Sequence, residues 1–369
     1  MSDRKNVDHI ESVKYTDVEA LLSEEFGEKF RRYRVAYHKS LNYDKNGFLP
    51  EFPLTVSIEL VNRCNLNCVM CYTINHKDPK ATFALPDIEK LMDECRENGL
   101  PAAVVGMGSE ALIYKGVREA LASVRKAGVM DVFLGTNGVL LTEDLSTFLV
   151  EQRIARLEIS LDAATPETYL KIRRKDELRR IEANIEKLLA VRRRMNSRLP
   201  VIRLCFCVQK ANIHEQQAFL GKWRGKVDYI DFQEMVDFGN VSEFRATKDV
   251  LHARPANAEK PAKTYCAYPF NSLHVWSNGD VTPCCTFFGK ALVIGNVKKQ
   301  SLKEIWTGDE IKTIRRQLLS GDVNPVCFAC LTQRDTETFT AAKEGSRKKT
   351  DTKPAAVSET ESIPVPIAE

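Results

Sequence analysis

The sequence predicts an α/β protein in which a parallel sheet or partial barrel is followed by a small cysteine-rich domain. The first observation is an alternation of short apolar strands and amphipathic helices, which makes six βα units between residues 55 and 235. The second is the end of that alternation, after which several cysteines occur in a segment with a hairpin pattern. The third is a group of three cysteines directly after the first strand, where α/β enzymes carry their active sites.

Each strand is predicted from a short run of apolar and β-branched residues, and each helix from apolar residues that recur with the helical period. The predicted strands are Thr55–Val61, Ala102–Met107, Val132–Gly135, Arg156–Asp162, Val201–Val208 and Tyr229–Met235. The predicted helices are Pro86–Asn98, Lys115–Ala127, one capped by Thr142, one begun by Thr165-Pro166-Glu167, Ile181–Met195 and His214–Trp223. Thr165 supplies an N-cap oxygen, the proline fits the first helical position, and the acid suits the first turn.

Changes in composition divide the chain into five segments. Residues 1–50 are charged and predict an N-terminal helical extension, whereas residues 51–241 hold the alternating units. Residues 242–263 are rich in alanine, proline and lysine and predict a linker, and residues 264–335 form the predicted cysteine-bearing domain. The tail, residues 336–369, is predicted to be disordered because its polar composition cannot bury enough apolar surface to order it.

The overall composition is that of an ordinary globular protein, with 43% hydrophobic and 28% charged residues among 369. A formal net charge of +4 gives no reason to expect nucleic acid or an anionic membrane as a partner. No apolar stretch has the length of a transmembrane helix or the pattern of a secretory signal, so the cytoplasm is the expected compartment. In that reducing compartment, grouped cysteines indicate metal ligands or catalytic groups rather than disulfides.

The first cysteine group, Cys64, Cys68 and Cys71, has the spacing C-x3-C-x2-C in the loop after the first strand. Thiolates are the usual ligands of iron–sulfur clusters, and three of them satisfy three irons of a cubane and leave the fourth open. A structural zinc site would need a fourth nearby ligand, for which only His76 is available. A disulfide would leave one cysteine over and would require an oxidising compartment. An open iron–sulfur cluster is therefore predicted.

The run Cys64-Asn-Leu-Asn-Cys68-Val-Met-Cys71-Tyr72 resembles the motif of the radical S-adenosylmethionine (SAM) superfamily. The resemblance implies a partial (β/α)6 TIM-like barrel, a [4Fe–4S] cluster whose open iron binds SAM, and an electron donor such as flavodoxin or ferredoxin. It also implies that reduction of the cluster cleaves SAM to a 5′-deoxyadenosyl radical, which abstracts a hydrogen atom from the substrate. The cofactor carries that chemistry, and the protein binds, orients and shields it.

Further positions are similar to the SAM-binding residues of this superfamily. Gly108-Ser109-Glu110, after the second strand, resembles the Gly-Gly-Glu segment that holds the SAM ammonium group, with serine in place of the second glycine. Ser160 and Arg173 match the residues that contact the SAM ribose and carboxylate, and Arg174 is the neighbouring alternative to Arg173. The other interpretation of the glycine turn is simple strand termination.

Alternation along the fourth predicted strand places its polar residues on one face, namely Arg156, Glu158, Ser160 and Asp162. We expect this polar face to line the interior of the barrel and the apolar face to lie under the helices. The alternative is that Glu158 and Asp162 only pair with Arg156.

The second cysteine group comprises Cys266, Cys284, Cys327 and Cys330. Asn278-Gly279 is a strong two-residue turn signal, and the hairpin around it brings Cys266 and Cys284 together. The pair Cys327-x2-Cys330 follows further along the chain. Four such thiolates could hold zinc or a closed iron–sulfur cluster, and the residues alone do not separate the two.

This segment resembles the SPASM domain that follows many radical SAM barrels, in its cysteines and in Asn278-Gly279-Asp280, Gly295-Asn296 and Leu302–Trp306. The resemblance implies one auxiliary [4Fe–4S] cluster suited to electron transfer, with Cys284 favoured over the adjacent Cys285 as ligand because it follows the proline. Family members often have an aspartate at the position of Cys285. A thiol there is either a bystander or a catalytic donor that returns a hydrogen atom to the opposite face of a substrate.

Three functions are open on this basis. The first is hydrogen abstraction from a small molecule, such as a sugar, aminocyclitol or nucleotide-sugar, by a dehydrogenase- or epimerase-type oxidoreductase. The second is a maturase that modifies a ribosomally made precursor peptide, although residues 1–50 show no clear strand pair of a leader-binding domain. The third, a zinc-binding or electron-transfer scaffold, is disfavoured by the open-site spacing of the first cysteine group. The sequence does not identify the substrate.

Overall fold

The structure is a computed structural model, which describes residues 12–71, 80–234, 251–252, 265–284 and 288–333. The strands are β1 Val13–Lys14, β2 Thr55–Ile58, β3 Ala102–Val105, β4 Asp131–Thr136, β5 Arg156–Ser160, β6 Val201–Val208, β7 Tyr229–Glu234, β8 Ser272–Val275, β9 Asp280–Thr282 and β10 Gly295–Asn296. Within the described part of the chain they form one sheet in the order β1-β7-β6-β5-β4-β3-β2-β8-β9-β10. Strands β2 to β7 lie parallel and in chain order. The predicted α/β class with six parallel units is confirmed.

Helices connect the parallel strands and follow the hairpin. They are α1 Val18–Ser40, α2 Tyr43–Asn46, α3 Leu85–Glu97, α4 Val117–Lys126, α5 Glu143–Glu151, α6 Pro166–Arg173, α7 Leu178–Arg194, α8 Gln216–Trp223, α9 Tyr268–Asn271, α10 Leu302–Thr307, α11 Asp309–Ser320 and α12 Pro325–Gln333. Thr142 and Thr165 cap α5 and α6 through their side-chain oxygens, as the sequence predicts. Of the helices described, none is long and apolar enough to cross a membrane.

Alternation along the strands gives the sheet one apolar and one polar face. Ile58 of β2 and Ile159 of β5 are fully buried in the main hydrophobic cluster, together with apolar residues of α3 and α7 such as Ile88 and Ile185. The polar residues of the same strands therefore point away from these helices. This face, the barrel interior, is the one on which the predicted SAM contact Ser160 lies.

Helix α1 packs at the amino ends of the parallel strands. Its buried Leu22 and Phe30 share a second hydrophobic cluster with Ala102 and Val201, the first residues of β3 and β6. The cysteine loop follows the other end of β2, so α1 closes the sheet at the edge opposite to the candidate site.

The C-terminal hairpin, β8 and β9, continues the barrel sheet. Strand β8 pairs in parallel with β2, with Ser57 opposite His274, and β9 turns back antiparallel to β8 as the Asn-Gly signal predicts. The buried Glu59 side chain accepts hydrogen bonds from the amide and hydroxyl of Ser277 (3.1 and 2.7 Å), which ties the hairpin to the cysteine loop. The five domain boundaries stay a prediction, because most of 242–263 and the whole of 336–369 lie outside the described residues.

Candidate active site

The first cysteine group lies in a turn at the carboxyl edge of the sheet. The Leu66 amide donates to Cys64 Sγ (3.4 Å), and the Cys71 amide donates to the Cys68 carbonyl (3.0 Å). The amide of Val69 donates to the carbonyl of Ile172 in α6 (2.9 Å). The loop is therefore fixed both by its own turns and by the end of the helix that carries Arg173.

Arg173 and Asp162 form a buried pair against the loop. Arg173 Nη1 lies 3.3 Å from Cys68 Sγ, and its Nη2 lies 2.5 Å from Asp162 Oδ2. The second carboxylate oxygen of Asp162 accepts the Cys207 amide (2.7 Å). Arg174, the alternative named from sequence, is exposed at the left-handed C-cap of α6 (φ 63°). The structure thus brings Arg173, and not Arg174, to the cysteines.

Glu110 lies in the same edge, but its carboxylate is already engaged by the protein. It accepts hydrogen bonds from Thr136 Oγ1 and the Asn137 amide (both 2.7 Å) and from the Leu112 amide (3.0 Å). Burial raises the pKa of Glu110, and these donors oppose that shift. A carboxylate has about four acceptor positions, so at most about one remains for a ligand. Glu110 primarily joins the loops after β3 and β4.

The rest of the predicted SAM segment has a polar group without a partner in the described part of the chain. Gly108 has a positive φ of 82°, and the Ser109 hydroxyl is buried without a hydrogen-bond partner within the described part of the chain. The Tyr169 hydroxyl of α6 is likewise buried and unpartnered within that part. Buried hydroxyls are normally hydrogen-bonded. Two hydroxyls without partners near the carboxyl edge of the sheet therefore suit the binding of a polar ligand.

Asn137 contacts the cysteine loop, which the sequence did not predict. The sequence indicated only a turn at this position. Its Nδ2 donates to Asn65 Oδ1 (2.6 Å) and lies 3.8 Å from Cys64 Sγ. It therefore holds the start of the cysteine loop from the neighbouring β4 loop. Its position at the carboxyl end of a parallel strand was the only available signal, because the contact joins segments far apart in sequence.

Gly106 lets the β3 and β4 backbones approach closely below this loop. It has a φ of 89°, and a Cβ at this position would overlap the carbonyl oxygen of Gly135. We expect Gly106→Ala to displace the β3 loop and to reduce SAM cleavage at least about tenfold, because catalytic geometry tolerates shifts of only a fraction of an ångström.

Gly128→Ala is the matched control for Gly106→Ala. Gly128 has a similar φ of 84° but open space where a Cβ would stand, so it adds the same backbone strain without the overlap. The two variants are compared by anaerobic 5′-deoxyadenosine assays at equal iron content. Equal losses in both variants would contradict a special role for the close approach.

The charged side chains on the interior face of the sheet have other partners than the alternative interpretation of β5 predicts. Arg156 Nε lies 2.7 Å from Asp131 of β4, and Glu158 lies 2.7 Å from Arg203 of β6, whereas Asp162 pairs with Arg173. The alternative interpretation, in which Glu158 and Asp162 only pair with Arg156, is therefore wrong. Same-face residues of one strand stand further apart than partners on adjacent strands, so cross-strand pairing wins.

The thiols of the loop sit in an environment that suits metal binding. Burial raises the pKa of Cys64 to about 11, and burial also raises the pKa of Cys68, although Arg173 opposes that shift. Such thiols stay protonated until a metal displaces the proton, since a coordinating thiol is deprotonated outright. Arg173 then offers a compensating positive charge. The donor set and its surroundings fit an iron–sulfur cluster.

Three of the four auxiliary cysteines, Cys266, Cys327 and Cys330, lie beside the main hydrophobic cluster. Cys327 and Cys330 are one turn apart at the start of α12, where Asn324 accepts the Cys327 amide (2.9 Å) and donates to Cys327 Sγ (3.5 Å). Burial raises the pKa of Cys327 to about 12, and the nearby Cys266 and Cys330 thiols add to that shift. The Cys284 carbonyl accepts the Thr282 hydroxyl (2.9 Å). Cys285 lies outside the described residues.

Among the described side chains, no three His, Cys, Asp or Glu groups are close enough to hold a single metal ion. A four-iron cluster binds each cysteine to a different iron, so its thiols stand further apart than the ligands of one ion.

Two sequence profiles match the chain. The Radical SAM superfamily profile matches residues 58–203, and the SPASM profile, an iron–sulfur cluster-binding domain, matches residues 266–331. The first covers the cysteine loop, Glu110, Ser160 and Arg173, and the second covers all four auxiliary cysteines. Both matches coincide with the places predicted from the motifs.

The chain is similar in sequence to proteins named GTP 3′,8-cyclase and similar in fold to SuiB. A probable GTP 3′,8-cyclase of Methanothermobacter thermautotrophicus is 31% identical over 37% of this chain and 45% of its own length, so the match spans less than half of that relative. A GTP 3′,8-cyclase of Desulforamulus reducens is 23% identical over 69% of this chain and 83% of its length. Streptococcus suis SuiB bound to S-adenosylmethionine shares the fold, with a TM-score of 0.54 and 14% identity. The match covers 84% of this chain and 86% of the SuiB chain. Another SuiB structure holds the precursor peptide SuiA.

The two domains together account for the cofactors of the protein. They are a SAM-binding [4Fe–4S] cluster, SAM itself and an auxiliary iron–sulfur cluster. The predicted family and cofactors are thereby confirmed. The chain belongs to the radical SAM superfamily and carries a C-terminal SPASM domain.

Proposed function

We propose that this radical SAM enzyme removes a hydrogen atom from a small molecule of the sugar, aminocyclitol or nucleotide-sugar type, leading to oxidation or epimerisation. The observation that carries the proposal is the polar interior face of the barrel. Arg203 on β6 bridges Glu158 and Asp231, and Asp231 also accepts from Gln233 (2.8 Å). A wall of hydrogen-bonding groups suits a substrate with many hydroxyl or amino groups better than an apolar one.

The chain's own residues have distinct roles in this proposal. Cys64, Cys68 and Cys71 hold the first cluster, and SAM is bound by Gly108, Ser109, Glu110, Ser160 and Arg173. When bound, cluster and SAM supply a 5′-deoxyadenosyl radical that abstracts hydrogen from carbon. Asp162 fixes the Arg173 guanidinium beside Cys68, and Glu110 fixes the loops around it. An external protein, such as flavodoxin or ferredoxin, supplies the electron.

The auxiliary domain completes the proposal. Cys266, Cys284, Cys327 and Cys330 hold the second cluster, which accepts an electron when the substrate is oxidised. Cys285, in the position where family members often have aspartate, is the proposed hydrogen-atom donor if the outcome is epimerisation. The thiyl radical that this leaves on its sulfur is returned to the thiol by an electron from the external donor protein and a proton from water.

A peptide substrate is the second candidate, favoured by the fold that the chain shares with SuiB, of which one structure holds a precursor peptide. Against it, the described residues of the N-terminal segment close the amino end of the sheet through α1, opposite to the candidate site. The GTP 3′,8-cyclase names of the sequence relatives point to a nucleotide, which is also a small molecule.

Deuterium transfer distinguishes these substrates. Anaerobic protein with reductant and SAM is incubated with an extract of source cells grown in heavy water, separated into a metabolite fraction and a peptide fraction. We expect deuterium in 5′-deoxyadenosine with the metabolite fraction only. Transfer from the peptide fraction alone would favour the maturase, and transfer from neither would overturn the proposal. Cys68→Ala serves as the inactive control.

A further inference from the structure

His274 is a buried histidine for which the fold supplies no partner. Its side chain is 1% exposed, and neither ring nitrogen has a hydrogen-bond partner in the described part of the chain. Burial lowers the pKa of His274 to about 3, and the Lys290 charge adds to this shift. The imidazole is therefore neutral, with one N–H donor and one acceptor nitrogen.

The position of His274 directs it toward the barrel interior. Its neighbours on β8, Leu273 and Val275, both belong to the main hydrophobic cluster that the helices cover. His274 therefore lies on the opposite face, level with Ser57 of β2. That face also carries the polar residues Glu158, Arg203 and Asp231 of β5 to β7, because all these strands belong to one sheet.

Leaving both nitrogens unmet is costly. A buried polar group without a hydrogen-bond partner destabilises the folded protein, and an apolar side chain of similar size would avoid that penalty. A histidine at such a position is explained when a bound molecule completes its hydrogen bonds.

The surroundings of His274 are held in place and lead to the auxiliary cysteines. Its ring lies 4.2 Å from the ring of Trp276, and the Lys290 ammonium lies 4.5 Å from the centre of that same indole. Trp276 Nε1 donates to Thr282 Oγ1 (3.0 Å), which donates to the Cys284 carbonyl (2.9 Å). The imidazole is thus fixed by the strand pair that carries a proposed ligand of the second cluster.

We propose that His274 is a substrate-binding residue that hydrogen-bonds hydroxyl groups of a polyhydroxylated small molecule, on the strand by which the auxiliary domain extends the barrel sheet. A neutral imidazole donates to one hydroxyl and accepts from another, which matches neighbouring hydroxyls of one ring. This inference rests on the proposed function, and it adds a recognition group and the feature of the substrate that is recognised.

His274→Leu and His274→Gln test the assignment in the full, reconstituted protein. The probe is the heavy-water metabolite fraction, and the readout is deuterium transfer into 5′-deoxyadenosine. We expect His274→Leu to lower the transfer at least about tenfold, the effect of one lost hydrogen bond to a buried group. Iron content and substrate-free SAM cleavage should stay unchanged. His274→Gln keeps a donor and an acceptor and should recover part of the transfer.

His38→Leu is the matched control, because His38 is an exposed histidine of α1 at the far edge of the sheet. Unchanged transfer in His274→Leu would overturn the inference and leave the proposed function standing. Loss of iron or of substrate-free cleavage in both His274 variants would mean a structural role and would also overturn it. No transfer in the wild-type protein would instead overturn the proposed function, and this inference with it.

Discussion

Cys68→Ala is expected to abolish 5′-deoxyadenosine formation and to remove about half of the iron from the reconstituted protein, because one of two four-iron clusters loses a ligand. Arg173 packs against Cys68, with its Nη1 3.3 Å from the Cys68 sulfur. Its removal takes away both a proposed iron ligand and the group that a buried guanidinium faces. The measurements are anaerobic product assays and iron and sulfide analysis.

Cys95→Ala is the matched control for the loss of Cys68. Cys95 is buried like Cys68, but it lies among apolar residues of α3 in the main hydrophobic cluster. Its truncation should lower stability slightly and leave iron content and product formation intact. Full iron content in Cys68→Ala, or iron loss in Cys95→Ala, would contradict the assignment of the loop as the cluster site.

The cysteine spacing and the periodicity of the strands predicted the larger part of the fold. Strand β6 has the predicted bounds, and the caps Thr142 and Thr165 lie where their sequence signals place them. These features depend on interactions within a few residues, so a local pattern contains them. The sequence could also predict Arg173 rather than Arg174 as the site residue, because only one side of α6 faces the sheet.

Other parts of the site depend on contacts between distant segments. The pairing of β8 with β2, the hold of Asn137 on the cysteine loop, and the hydrogen bonds that occupy Glu110 all join residues far apart in sequence. No local period or motif contains such contacts. For the same reason the sequence could name Asp162 as polar and interior but not choose its partner.

Asp162→Asn is expected to lower the free energy of unfolding by about 3–5 kcal/mol, because it leaves the buried Arg173 guanidinium without its counter-charge. Asp162 is 1% exposed and Arg173 8% exposed, so water cannot replace the lost carboxylate. The asparagine side-chain oxygen can still accept the Cys207 amide, so the change acts mainly on charge. The loss should be smaller in protein that holds the cluster, since iron-bound Cys68 supplies negative charge beside Arg173.

Asp144→Asn provides the comparison for Asp162→Asn. Asp144 also pairs with an arginine, Arg118, but its side chain is 84% exposed, and exposed ion pairs contribute little. Anaerobic urea unfolding of both variants, with and without cluster, gives the two free energies. Similar small changes in the two variants would mean that the buried pair is not coupled to stability. A loss at Asp162 that is equal with and without cluster would mean that Arg173 does not respond to the charge on Cys68. Both results together would leave Arg173 as a packing residue, because the stability of the protein would then depend neither on the charge of Asp162 nor on the charge of Cys68.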